Sequence, residues 1–225
     1  MSADPRLRKA AGADWAFISD ASALAIVHEL EPAGAHPLPL LRCTELIEIR
    51  NNEGPRDPVD VAARFVAVLK AEQIDTLASD SHYRASWEPV LGDADIQWRP
   101  APVKAEDIAQ SFLFLRVLIH QRRIILPKSA RLKKQLGDVT GTPTGSGLSI
   151  KTRRRKDGDG GTSHGDLVSA LVLAVWQLMG AADTGRVMGV PARNAGADPR
   201  YASTKTAEAF GGIPTGEYRE YAADD

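Results

Sequence analysis

Three aspartates stand where oxygen ligands for a hard cation could be assembled. Asp20 follows Phe17-Ile18, Asp80 follows Leu77-Ala78, and Asp166 lies in Ser163-His164-Gly165-Asp166-Leu167. Grouped carboxylates repel one another, so they are stable together mainly when a cation neutralises them. Oxygen-only ligands suit Mg²⁺ or Mn²⁺. Each acid also has a plainer reading. An Asp after a buried strand is often a turn residue or a cap for the next helix. Ser163-x-x-Asp166 before an apolar run has the form of a capping box, which leaves His164 as a polar residue at a helix start. A second feature is the basic run at 151–156, with Lys151, Arg153, Arg154, Arg155 and Lys156. It reads either as a phosphate grip or as a solvated loop. No Gly-x-Ser-x-Gly elbow is present, and Cys43 lies mid-strand without an obvious base.

The acids need elements to carry them. The chain has 225 residues, 43% of them apolar and 25% charged, with a net charge of −1. That composition supports one sizeable core and argues against general disorder. A single cysteine excludes an internal disulfide framework and fits a reducing compartment. The first residues lack the apolar core of a signal peptide. The apolar stretch 167–182 is interrupted by Ser169, Gln177 and Gly180. It falls short of the ~20 residues a membrane span needs, so a soluble intracellular protein is expected.

Residues 1–14 read as a polar leader, 15–180 as the folded domain and 181–225 as a flexible C-terminal tail. Apolar patterning predicts three strands near 15–20, 23–30 and 40–49, joined as an antiparallel meander. Ala62, Phe65, Val66 and Leu69 recur at helical spacing, with Asp57 placed to cap the helix start. A strand ending at Asp80, a short helix, a strand around Trp98 and a long helix over 104–123 follow. Residues 137–161 read as a flexible or hairpin-like segment. A last helix carries Leu167, Leu171, Ala174 and Leu178. Together these elements imply an α/β fold with a mixed sheet flanked by helices.

With that order in place, several segments resemble the C-terminal nuclease domain of phage terminase large subunits, a ribonuclease-H-like fold. The segment 162–171, Thr-Ser-His-Gly-Asp-Leu-Val-Ser-Ala-Leu, is similar to a terminal motif in which His-Asp-Asp precedes an alanine-containing helix. Phe17-Ile18-Ser19-Asp20 resembles the first-strand acid, and Leu77-Ala78-Ser79-Asp80 the second. Gln121-Arg122-Arg123-Ile124-Ile125-Leu126-Pro127 resembles the segment before a variable region. Gly165 departs from the pattern by replacing the first Asp of the pair.

The resemblance implies metal-dependent cleavage of double-stranded DNA during viral genome packaging by a two-metal mechanism with Mg²⁺ or Mn²⁺. Asp20 would bridge both ions, Asp80 and Asp166 would complete their shells, and His164 would assist. The implied partners are duplex DNA, an ATPase motor, the portal or procapsid and the small terminase subunit, in the host cytoplasm. Gly141-Thr-Pro-Thr-Gly145-Ser-Gly147 lacks the lysine of a phosphate loop, so the motor is expected on other sequence. Another ribonuclease-H-like nuclease, such as a junction resolvase or transposase, and a non-catalytic docking subunit are the alternatives.

Overall fold

A computed structural model describes residues 7–187, apart from 19, 34–35, 51–55, 146, 153–154, 157–161 and 164. Strands β1 (Lys9–Asp14), β2 (Ser22–Glu31) and β3 (Leu40–Ile49) form the antiparallel meander. Helix α1 (Pro58–Ala71) follows, and the Asp57 carboxylate accepts from the Val59 N–H at 2.9 Å, as its position predicts. Next come β4 (Thr76–Ser79), α2 (Arg84–Asp93), β5 (Gln97–Pro100) and α3 (Ala105–His120). Then follow the short β6 (Ile124–Ile125) and α4 (Ala130–Gly137). The segment expected to be flexible or hairpin-like holds a hairpin, β7 (Val139–Thr144) with β8 (Gly147–Thr152). A smaller pair, β9 (Arg155–Lys156) with β10 (Thr162–Ser163), leads into α5 (Asp166–Val187).

The main sheet runs β5-β4-β1-β2-β3-β6. β4 is parallel to β1 and β5 is parallel to β4, so these three strands end at the same edge. An antiparallel meander extended by parallel strands on the β1 side, with helices on both faces, is the ribonuclease-H-like arrangement. Among the described residues no helix is long and apolar enough to cross a membrane.

The first strand differs from expectation. It is Lys9–Asp14, inside the segment read as a polar leader, and Trp15, Ala16, Phe17, Ile18 and Asp20 instead lie in the connection to β2. β1 has no large apolar side chain, so its pattern is silent, whereas Trp15 and Phe17 mimic a strand while anchoring a turn. The reason for small residues is the opposite face. Ala10, Ala23 and Ala25 pack with Ala170, Leu171 and Ala174 of α5, while Leu24 and Ile26 pack with Phe65, Leu69 and Trp87 on the α1–α2 side. At Gly12 the helix comes closest: an added Cβ would sit 2.3 Å from the Ala170 carbonyl oxygen and 2.3 Å from the Ala174 nitrogen. Helix α5 continues past a non-helical Gly180 (φ 72°) to Val187. The remainder of the expected tail lies outside the described residues.

Candidate functional site

The common edge of β1, β4 and β5 gathers the acids. Asp14 ends β1, Asp80 follows β4, and Asp166 begins α5, which lies across β1. Asp14 is half-buried, so solvent still reaches it, yet its pKa stands well above the ordinary carboxylate range. Loss of hydration is the largest cause, followed by the negative charges of Asp166, Asp80 and, more weakly, Asp20. A hydrogen bond from the Ser169 hydroxyl opposes the shift. Ser169 is three residues beyond Asp166, so both reach the same side of α5. Burial also raises Asp80, against the His82 N–H that donates to its Oδ1 at 3.2 Å and the nearby His82 charge. Asp166 is only 3% exposed.

Aromatic packing sets the loops that hold Asp14 and Asp80. Trp15, directly after Asp14, is buried and stacks on Trp87 at 4.9 Å. Trp87 Nε1 in turn donates to the His82 carbonyl at 2.6 Å. Ser22 closes the other side by accepting from the Ala16 N–H at 3.1 Å and donating to the Ala16 carbonyl at 2.6 Å. The two acid-bearing loops are thus braced through one tryptophan pair. The start of α5 is held from a distance, because buried Gln135 of α4 accepts from the Leu167 N–H at 3.0 Å. That side chain satisfies one of the donors a helix N-terminus leaves open.

The structure thus brings Asp80 and Asp166, two of the acids singled out in the sequence, to one edge together with Asp14, which ends β1. Asp20 sits in the β1–β2 turn, contributing charge toward Asp14 but not ending a strand. Ser169 and Gln135 were also missed. Ser169 is legible only once Asp166 is placed on a helix, and Gln135 carries no signal in the sequence. His164, Arg153 and Arg154 lie outside the described residues. Lys151 is exposed on β8, and Arg155 and Lys156 form β9, whose partner β10 ends two residues before Gly165. Arg123 and Arg131 are tied into the fold through Glu31 at 3.6 Å and Glu48 at 2.6 Å.

Among the described residues no three His, Cys, Asp or Glu side chains already form a metal cage. A bound ion would have to draw the carboxylates together. The donor set nevertheless fits a hard divalent cation: a desolvated carboxylate whose charged neighbours among the described residues are further carboxylates is the surrounding a cation relieves.

Gly165 has a steric explanation. It adopts φ +88°, and an added Cβ would fall 2.8 Å from the Thr152 Cβ at the end of β8. Gly165→Asp, which makes an Asp pair, is expected to destabilise the fold by roughly 2–4 kcal/mol from left-handed strain and overpacking. Thermal melting checks this, and a variant as stable as the wild type would show that the position tolerates a side chain.

No family model matches the chain, and no curated protein matches its sequence. Solved structures do match. The large terminase nuclease from thermophilic phage G20c, with bound magnesium, aligns with TM-score 0.57 at 19% identity over 77% of this chain and 82% of that one. The large terminase nuclease domain of Thermus phage P74-26 aligns with TM-score 0.57 at 21% identity, covering 78% and 82%. The HK97 bacteriophage large terminase aligns with TM-score 0.59 at 13% identity, covering 78% of this chain but 40% of that one. The fold suggested by the sequence resemblance is thus the fold these nucleases share.

Proposed function

We propose that this chain is a metal-dependent endonuclease that cuts double-stranded DNA during viral genome packaging, partnered by an ATPase motor on other sequence. The observation that carries the reading is the convergence of Asp14, Asp80 and Asp166 at one sheet edge, where the charges of Asp166, Asp80 and Asp20 all act against ionisation of Asp14. The fold shared with terminase nucleases, one of them solved with magnesium, supports it. The portal or procapsid, the small terminase subunit and the host cytoplasm belong to the same reading.

In this reading Asp14 would help hold the cation, the role that the resemblance implied for Asp20. Asp80 and Asp166 supply the flanking oxygens, and Ser169 fixes the Asp14 carboxylate by donating to it. Asp20 strengthens the negative field from the turn. Mg²⁺ or Mn²⁺ held by these carboxylates would supply Lewis-acid stabilisation and a more acidic water. The basic residues Lys151, Arg153, Arg154, Arg155 and Lys156 hold the DNA backbone, since their run starts beside Gly165, next to Asp166. His164, two residues before Asp166, is placed in sequence to assist at the phosphate.

A plasmid nicking and linearisation assay with Mg²⁺, Mn²⁺ or EDTA tests the reading, with Asp80→Asn alongside. Cleavage is expected with a divalent ion and lost with EDTA and in the variant. A folded protein that cuts with neither ion would sink the reading of this chain as a self-sufficient nuclease and favour a docking subunit.

A further inference from the structure

The same edge that collects the acids also collects exposed apolar side chains. Of the six large hydrophobic residues exposed among the described ones, Ile18, Tyr83 and Val103 lie on the loops after β1, β4 and β5. The other three, Leu7, Val59 and Ile125, are scattered elsewhere. Exposed apolar residues scattered singly need no explanation, but three on the loops of the acid-bearing edge make that edge a candidate interaction surface.

Tyr83 is the most constrained of the three. Its backbone is left-handed (φ 52°, ψ 28°), a conformation that is costly for a bulky residue. Such strain persists only where the surroundings impose it, and it concentrates at functional sites. Here the surroundings are explicit. The Trp87 indole holds the His82 carbonyl at 2.6 Å, and the Arg84 N–H donates to the Ser81 carbonyl at 3.1 Å. Phe17 meets the Tyr83 ring edge-on at 5.4 Å, and His82 does so at 4.5 Å. The ring is fixed on its inner side yet remains 42% exposed, three residues from Asp80. Ile18, 61% exposed, follows the Phe17 that supports it.

We propose that Tyr83, with Ile18 on the adjoining loop, is a stacking site for an unpaired nucleobase beside the phosphate held at the acids. The inference rests on the nuclease reading and deepens it. A phosphate at Asp14 and Asp80 places the adjoining sugar and base against the neighbouring loops, where a rigid aromatic face suits any base. Apolar residues inserted at a base step unstack it, so this rim favours DNA that is already opened. An exposed ring held in a strained backbone is presented to a ligand at little further ordering cost.

The test measures binding, with Ca²⁺ in place of Mg²⁺ or Mn²⁺ so that a cation still holds the phosphate at the acids, of two labelled duplexes, one fully matched and one with a central three-base bubble. The wild-type protein is expected to bind the bubble about tenfold more tightly, within the range of one stacked base. Tyr83→Gly, which accepts the left-handed backbone, should lose that preference while matched-duplex binding stays, and Tyr83→Phe should keep it. Ile18→Ser, at an exposed position, should reduce the preference without disturbing folding. Equal affinity of the wild type for both duplexes, or a preference retained in Tyr83→Gly, overturns the stacking site. A wild-type bubble preference that Tyr83→Gly loses, found together with no cleavage under Mg²⁺ or Mn²⁺, overturns the nuclease reading instead. Absence of any DNA binding overturns both.

Discussion

Asp14→Asn is expected to stop metal-dependent cleavage and to make the protein harder to unfold. The two effects share one cause. Asp14 is desolvated and faces Asp166, Asp80 and Asp20, so its ionised form is unfavourable in the folded chain. Its folded pKa is therefore raised above the unfolded value of about 3.9. The folded state then binds more protons than the unfolded one between those two values. Stability contributed by this group is present at low pH and lost as pH rises through the raised folded value. The neutral amide removes that loss, so the variant should melt higher at neutral pH and show a flatter pH–stability curve.

A divalent cation should change the comparison. Binding only to the folded wild type, at ~100 times its Kd, it adds about 2.7 kcal/mol of stability. Asp14→Asn should gain little from the same ion, and its cleavage rate should fall at least about a hundredfold, the scale of losing one preorganised electrostatic group. Melting curves with and without Mn²⁺ across pH, read beside plasmid nicking, check every part. An Asp14→Asn protein that cuts at the wild-type rate would remove Asp14 from the site and return attention to Asp20.

Gly12→Ala should produce the largest structural effect of any single methyl group in the described fold. The added Cβ would lie 2.3 Å from backbone atoms of Ala170 and Ala174, and backbone within a helix cannot rotate away as a side-chain tip can. Helix α5 must lift from β1 or the strand must shift. Overpacking of this kind costs about 3 kcal/mol, or roughly 6–12 °C in melting temperature for a chain of this size. Asp166 and Ser169 ride on the displaced helix, so the contact between Ser169 and Asp14 opens and nuclease activity falls with stability. Thermal melting together with the nicking rate reads the outcome. An Ala variant with unchanged melting would mean that α5 does not approach β1 this closely.

Much of the architecture is legible in local pattern. The strands β2 and β3 announce themselves by long apolar runs, and α1 by its spacing of Ala62, Phe65 and Leu69 with a capping Asp57. Asp80 and Asp166 stand out because buried apolar neighbours, Leu77-Ala78 and Leu167-Val168, flank them. These are properties of contiguous residues, and a linear reading is suited to them. The resemblance of 162–171 to a terminase motif belongs to the same class of local signal.

β1 escaped that reading for an identifiable reason. Lys-Ala-Ala-Gly-Ala-Asp has neither β-branched nor aromatic residues, so propensity and hydrophobic alternation both miss it. Its signal was spread over two segments: small residues at Ala10 and Gly12, and alanines at 170 and 174 on the last helix. Only their pairing in space makes glycine a requirement at position 12. The large residues Trp15 and Phe17 meanwhile looked like the strand, although they anchor the following turn against Trp87 and Tyr83.

The sequence by itself determined that this is an α/β chain with a mixed sheet and acids near its strand ends, because those features follow from hydrophobic periodicity along the chain. Tertiary structure alone decided that Asp14 rather than Asp20 closes the first strand, and that Gly165 stands where a side chain would strike Thr152. It also decided that Tyr83 is presented beside the acids. Each of those outcomes depends on the distance between residues remote in sequence, and an interatomic distance of that kind has no local pattern to announce it.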